Sequence, residues 1–234
     1  AGCVGLFIGF ESVTPEGLHD LGRKSTMLSG RNIPASVERI QRHHILVVGS
    51  FIIGMDSDRV GVGRLIAESA DLYGVDSMNV LFLTPLPGTR LWRQLKAEGR
   101  IAKDAFPEDW KYYTLNYPVA RYKYLTVDRI VQEMTECNRT FYSSRNILGR
   151  LGRNLWTGRN PLLGLVSNLT SRRNSQRFAR IYTALWPAAG SAEGASPEAG
   201  PQLDLLDLTE TATQRLRQYA VALKMQVAWF FRQS

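Results

Sequence analysis

The sequence predicts an α/β protein: three parallel strand-helix units followed by a mainly α-helical extension. Two observations carry this. Over the first hundred residues, short apolar runs alternate with amphipathic stretches, the pattern of repeated strand-helix units in one parallel sheet. From about residue 101 the alternation stops, and an aromatic, non-periodic stretch gives way to basic helical patterns.

The first strand is "GLFIGFE", Gly5 to Glu11. Thr14-Pro15-Glu16 then supplies an N-cap, a proline at the first helical position and an acid in the first turn. "IPASVERIQRH" repeats the device with Pro34 and places Val37, Ile40 and Gln41 on one stripe. "HILVVGSFIIG", His44 to Gly54, reads as a second buried strand, rich in β-branched residues. In "VGRLIAESADLYG" the expected inward face is Leu65, Ile66, Ser69, Ala70 and Tyr73, with Gly74 as the stop. Ser77 to Thr84 forms the third strand. "PLPGT" breaks the chain, and a helix follows with Leu91, Trp92 and Leu95 inward and Gly99 after its end.

Beyond it, "AFPEDWKYYTLNYP" is expected as an ordered loop over the barrel's side or mouth. Thr126 caps a helix through about Tyr142, with Ile130, Val131, Met134, Cys137 and Phe141 on one face. Basic helices are expected near 145–155 and 174–186. "PAAGSAEGASPEAGP" reads as flexible linker, and an amphipathic helix ends the chain. The predicted organisation is therefore 1–101, 102–186, a linker at 187–208 and a helix at 209–232.

With 234 residues, 44% hydrophobic and 21% charged, the chain is long enough for one good core and an appendage. Its longest apolar stretch, "ILVVGSFIIGM", is shorter than the roughly 20 residues of a spanning helix. The expectation is a soluble, cytoplasmic protein. Net charge is +8, concentrated in one segment: from Arg139 to Arg180 there are nine arginines and no acid. That segment is interleaved with apolar residues, as in "LWTGRNPLLGLVSNL"; its plain reading is a solvated basic helix face, and the next is an anionic membrane surface, which would place the protein at the inner face of the membrane. No nucleic-acid recognition motif accompanies it. Cys3 and Cys137 lack any paired spacing and are expected to be buried structural thiols. His43-His44 is expected at the surface, and Asp56 and Asp58 as turn or cap residues.

Taken together, "GLFIGFESVTPEGL...GRKS", "VVGSFIIGMDSD" and "FLTPLPGTRLWRQLKAEGRI" resemble the second half of the radical S-adenosylmethionine barrel, in the branch that carries a cobalamin-binding domain. The resemblance implies the C-terminal half of a partial TIM-like barrel of six strand-helix units, with residues 1–101 as strands four to six. It implies S-adenosylmethionine and a 4Fe-4S cluster as cofactors, cobalamin as a further one, and a small-molecule or lipid-like substrate. The family's cluster ligands, C-x3-C-x2-C, are absent from this chain. The chain is accordingly expected to be a fragment, partnered by the missing N-terminal half of the barrel and inactive alone.

In folds of this type ligands bind at the carboxyl ends of the strands. The resemblance points there to Glu11 and Ser12 near the ribose or amino-acid moiety of S-adenosylmethionine. It also points to Gly49, Ile53 and Gly54, where a missing side chain lets adenine approach, and to Thr84 and Pro85 in the turn after the sixth strand. Each has a plainer reading: helix capping for Glu11-Ser12, close packing for the glycines and simple turning for Thr84-Pro85. Two other functions stay open. One is a non-catalytic half-barrel that binds a membrane or polyanion through its basic helices; the other is an unrelated barrel enzyme with Glu11 as general base.

Overall fold

The computed structural model describes residues 2–22 and 32–185. The predicted linker and terminal helix, 187–232, lie outside the described residues, as do Arg23, Lys24 and Ser25. The sheet is three-stranded and parallel, in the order β1 (Gly5–Glu11), β2 (Leu46–Ile53) and β3 (Ser77–Phe82). Helices α1 (Pro15–Asp20) and α2 (Ile33–Gln41) separate the first two strands, α3 (Val62–Tyr73) the second and third, and α4 (Arg90–Ala97) follows β3. The extension holds α5 (Val127–Phe141), α6 (Ser144–Trp156) and α7 (Pro161–Leu185). A three-stranded parallel α/β unit with a helical extension, consistent with a partial barrel, is thus the observed fold class.

Local chemistry explains the boundaries. The Thr14 hydroxyl accepts from the Gly17 amide at 3.1 Å and Thr89 from the Trp92 amide at 3.2 Å, each satisfying one orphan donor of a helix start. Gly74 ends α3 in the left-handed region, φ 76°. The second strand stops one residue early, because Gly54 turns the chain at φ 103°.

Strand alternation sends Val47, Phe51 and Ile53 to the helix side, where all three are fully buried. Phe10 stacks on Phe51 with ring centroids 5.4 Å apart and meets Tyr73 of α3 at 5.3 Å. The outer edge of β3 is covered by the extension. The Met78 amide donates to the Tyr142 hydroxyl at 2.9 Å, that hydroxyl donates to the Met78 carbonyl, and the Phe82 amide donates to the Leu115 carbonyl. The aromatic loop therefore lies along the side of the sheet, with Tyr117 and Tyr182 edge-on. Among the described residues β1 has a strand partner on one side only, and Val4 and Phe7 are exposed.

Three expectations are corrected. Cys3 is exposed; only Cys137 is buried, and burial pushes its thiol far up. On α3 the buried face is Val62, Gly63, Ile66, Ala67 and Ala70, while Leu65 is exposed. The face turns because α3 packs on α5 as well as on the sheet: a Cβ on Gly63 would lie 2.1 Å from the Glu133 carbonyl oxygen, so small residues mark the contact. Finally, α7 begins at Pro161 rather than near 174, so most of "LWTGRNPLLGLVSNL" is helical.

Candidate functional site

Parallel strands bring Glu11, Gly54 and Thr84 to the same end of the sheet, with register Glu11 to Phe51 and Ile53 to Phe82. The end of β1 is irregular. Between Gly9 and Glu11 the register shifts, and Glu11 adopts φ 65°, a left-handed conformation that costs a side-chain-bearing residue roughly 1–2 kcal/mol. The kink turns the Glu11 side chain back over the strand: a Cβ on Gly9 would meet its Oε1 at 2.6 Å. Gly9 pairs with Ser50, and Ser50 with Asn79, so alternation places these two polar side chains on the face opposite Phe51 and Val80. A strained carboxylate, a hydroxyl and an amide thus share one sheet face. Such a set accepts from and donates to hydroxyl and ammonium groups.

The other candidate residues sit differently. Ser12 is buried at the start of α1, where its hydroxyl accepts from the Thr14 amide at 3.2 Å and a Cβ on Gly17 would meet it. Gly49 faces the helix side, beside Phe51, Phe10 and Val75, and Ile53 is fully buried on that side. Gly54 admits Tyr122 and Ile130 against its backbone. The Thr84 hydroxyl donates to the Phe82 carbonyl at 2.9 Å, and Pro85 is buried beside it. The structure therefore gathers Glu11, Gly54, Thr84 and Pro85 at one rim and sets Gly49 deeper within the sheet.

Two carboxylates hold the rim's shape. Asp58 folds back to accept from the amides of Gly54 and Met55 at 2.7 and 2.9 Å. Burial raises its pKa despite those bonds. A raised value means that the Asp58 contribution to stability is full in acid, below the ordinary carboxylate range, and is lost as pH rises through the raised folded value. Asp58→Asn, which keeps an acceptor without the charge, should therefore match or exceed the parent's Tm at neutral pH. That advantage should vanish in acid, as read by thermal melts across pH. Asp56 pairs instead with Arg100 at 2.5 Å, joining the end of β2 to the segment after α4.

Sequence reasoning missed Ser50, Asn79 and Arg100. The first two had a signal: each is a polar residue inside an otherwise apolar strand, "LVVGSFII" or "SMNVLF". The Asp56–Arg100 pair spans 44 positions and had none.

The described residues contain no group of three or more His, Cys, Asp or Glu side chains able to hold a metal ion, and no helix among them is long and apolar enough to cross a membrane. No family model matches the chain. It is similar to an uncharacterized methyltransferase of Pyrococcus horikoshii, 26% identical over 147 residues, 63% of this chain and 30% of that protein. It is also similar to the bacteriochlorophyllide d C-12(1)-methyltransferase of Chlorobaculum tepidum, 26% identical over 64% of this chain and 31% of that protein. A third relative is the hopanoid C-2 methylase of Rhodopseudomonas palustris, 28% identical over 42% of this chain and 18% of that protein. The chain spans less than a third of the length of each. The proteins it is similar to are thus named as methyltransferases or a methylase, and the likeness is distant.

Proposed function

We propose that this chain is the C-terminal half of a radical S-adenosylmethionine barrel in a methyltransferase acting on an unactivated carbon, and that its share of the work is to hold the nucleoside or amino-acid end of S-adenosylmethionine. The observation that carries the reading is Glu11, strained into the left-handed region at a strand's carboxyl end with its carboxylate over Gly9. Strain of this kind gathers at binding sites, where surrounding structure holds it in place. The methyltransferase names of the relatives support the reaction class.

The residues fit the organic cofactor and do not fit the cluster. Glu11 is the acceptor for ribose hydroxyls or the ammonium group, and Ser50 and Asn79 are the polar neighbours on the same face. When bound, S-adenosylmethionine supplies the methyl group or the radical precursor. The chain orients it and shields it from water. With two cysteines, one exposed and one buried in α5, the chain cannot provide a three-cysteine cluster, and in this reading it does not cleave S-adenosylmethionine by itself. Cobalamin, as methyl carrier of the whole protein, rests on the sequence resemblance.

The test is calorimetric binding of S-adenosylmethionine to the chain, with Glu11→Gly as the variant. Glycine tolerates the left-handed conformation, so stability should stay within about 1 kcal/mol of the parent. Affinity should fall at least tenfold, an effect of about 1.4 kcal/mol. Absence of saturable binding by the parent chain, or parental affinity in a folded Glu11→Gly, would refute the reading.

A further inference from the structure

Helices α6 and α7 carry apolar side chains on their outer faces as well as their inner ones. On α6 the buried positions include Arg150 and Asn154, whereas Leu148, Leu155 and Trp156 are 64%, 61% and 92% exposed. On α7 the buried residues of the first half are Gly164 and Asn168, whereas Leu162, Val166 and Leu169 face outward, Leu162 at 72%. A helix packed on a core and facing water keeps its outer face polar. An exposed, contiguous apolar set of this kind marks a binding surface.

The outward stripe of α7 is also graded along its length. Leu162, Val166 and Leu169 follow one another at helical spacing, and the same line continues as Arg173, Arg177 and Arg180, all exposed. The apolar part spans about 10 Å at 1.5 Å per residue, close to the roughly 5–10 Å to which interfacial helices sink. Trp156 and Leu155 stand at the turn between the two helices, next in the chain to the apolar end of α7. Arg145 is exposed on α6, and no acid occurs between Arg139 and Arg180.

We infer that the α6–α7 hairpin docks on the surface of an anionic lipid bilayer. Its tip, with Trp156, Leu155 and Leu162, enters the headgroup boundary, and Arg173, Arg177 and Arg180 remain at the phosphates. Charge complementarity selects the anionic leaflet, and the apolar tip selects lipid over a nucleic acid, against which Leu, Val and Trp would stay in water. No described helix is long and apolar enough to cross a bilayer, and the hairpin enters the headgroup boundary by its tip alone. The structure refines the sequence expectation for the whole arginine-rich segment: Arg150 is buried and Arg159 donates to Gln41, so neither belongs to the contact.

Co-sedimentation of the full chain with vesicles of phosphatidylglycerol and phosphatidylcholine, against phosphatidylcholine alone, tests this. Binding is expected to the anionic vesicles only, to weaken steeply with salt, and to shift the tryptophan emission to the blue in the parent but not in Trp156→Phe. The exposed triple variant Arg173→Gln, Arg177→Gln, Arg180→Gln should lose about a hundredfold in partitioning, from roughly 1 kcal/mol per basic residue near the surface. Leu155→Ser with Trp156→Ser should lose at least tenfold, with an unchanged circular dichroism melt in both variants. The proposal is overturned if the chain ignores anionic vesicles at low salt, if the folded variants bind as the parent does, if RNA competes fully with vesicles, or if the hairpin proves to be covered in a dimer or by the C-terminal residues.

Discussion

Replacing Glu133 by alanine is expected to cost about 3–5 kcal/mol, the range for breaking a buried charged network by removing one partner. The carboxylate is 1% exposed in the middle of α5, yet it serves another helix. Its Oε1 accepts from the Gly61 amide and its Oε2 from the Gly63 amide, both at 3.0 Å, so it caps α3, whose own N-cap is a glycine without a side chain. It also receives Arg129 at 3.0 Å. Alanine would leave two helix-start donors without their acceptor, next to a void where α3 and α5 touch, whereas Arg129, 39% exposed, keeps Gln132 and water. Glu133→Gln separates the terms. One amide oxygen can still accept, while the NH2 faces a donor, so it should recover less than half of the loss. Chemical denaturation reads both, and a Tm fall of about 10 °C accompanies a loss of this size in a chain this long. A melt within 2–4 °C of the parent, about 1 kcal/mol, would mean that water replaces the carboxylate.

Glu133 also shows where the sequence stops being legible. The inward face of α5 follows from spacing alone, and Ile130, Val131, Met134, Cys137 and Phe141 are all buried. A carboxylate on that face contradicts the pattern, and only its partners 70 and 72 positions away explain it. The strand-helix alternation, the Thr14 cap and the Gly74 stop were readable because each depends on neighbours within one turn. The face of α3 was misread for the opposite reason. Leu65 is as large and apolar as its neighbour Ile66, but close approach to α5 rewards Gly63 and Ala67. At the strand ends, the sequence located the rim through Glu11 and Gly54. It could not supply the φ of Glu11, which arises where the register with β2 shifts, or the shared face of Ser50 and Asn79, which depends on the register between β2 and β3.

Arg150→Ala is the second large loss expected, again about 3–5 kcal/mol, although in sequence this residue is one more cation in an acid-free run. The side chain is 3% exposed and spends every face of its guanidinium on the protein. Its Nε donates to the Asn168 Oδ1 at 3.1 Å, Nη1 to the Asp71 Oδ1 at 3.1 Å and Nη2 to the Phe141 carbonyl at 2.7 Å, with its carbon 4.0 Å from the Phe141 ring centre. Asn168 in turn donates to the carbonyls of Asp76 and Gly164, so one arginine links α3, α5, α6, α7 and the approach to β3. The ion pair itself is the weaker part, because the Asp71 side chain is 45% exposed and water screens it. Asp71→Asn should therefore cost only about 1 kcal/mol, whereas Arg150→Ala strands a buried carbonyl and a buried amide oxygen. Arg150→Lys should recover little, since an ammonium cannot span three acceptors set in a planar fork. The same experiment on exposed Arg177 should leave stability within about 0.5 kcal/mol of the parent. Equal losses at Arg150 and Asp71 would instead place the stability in the ion pair, and an unperturbed Arg150→Ala would show that α6 and α7 dock without it.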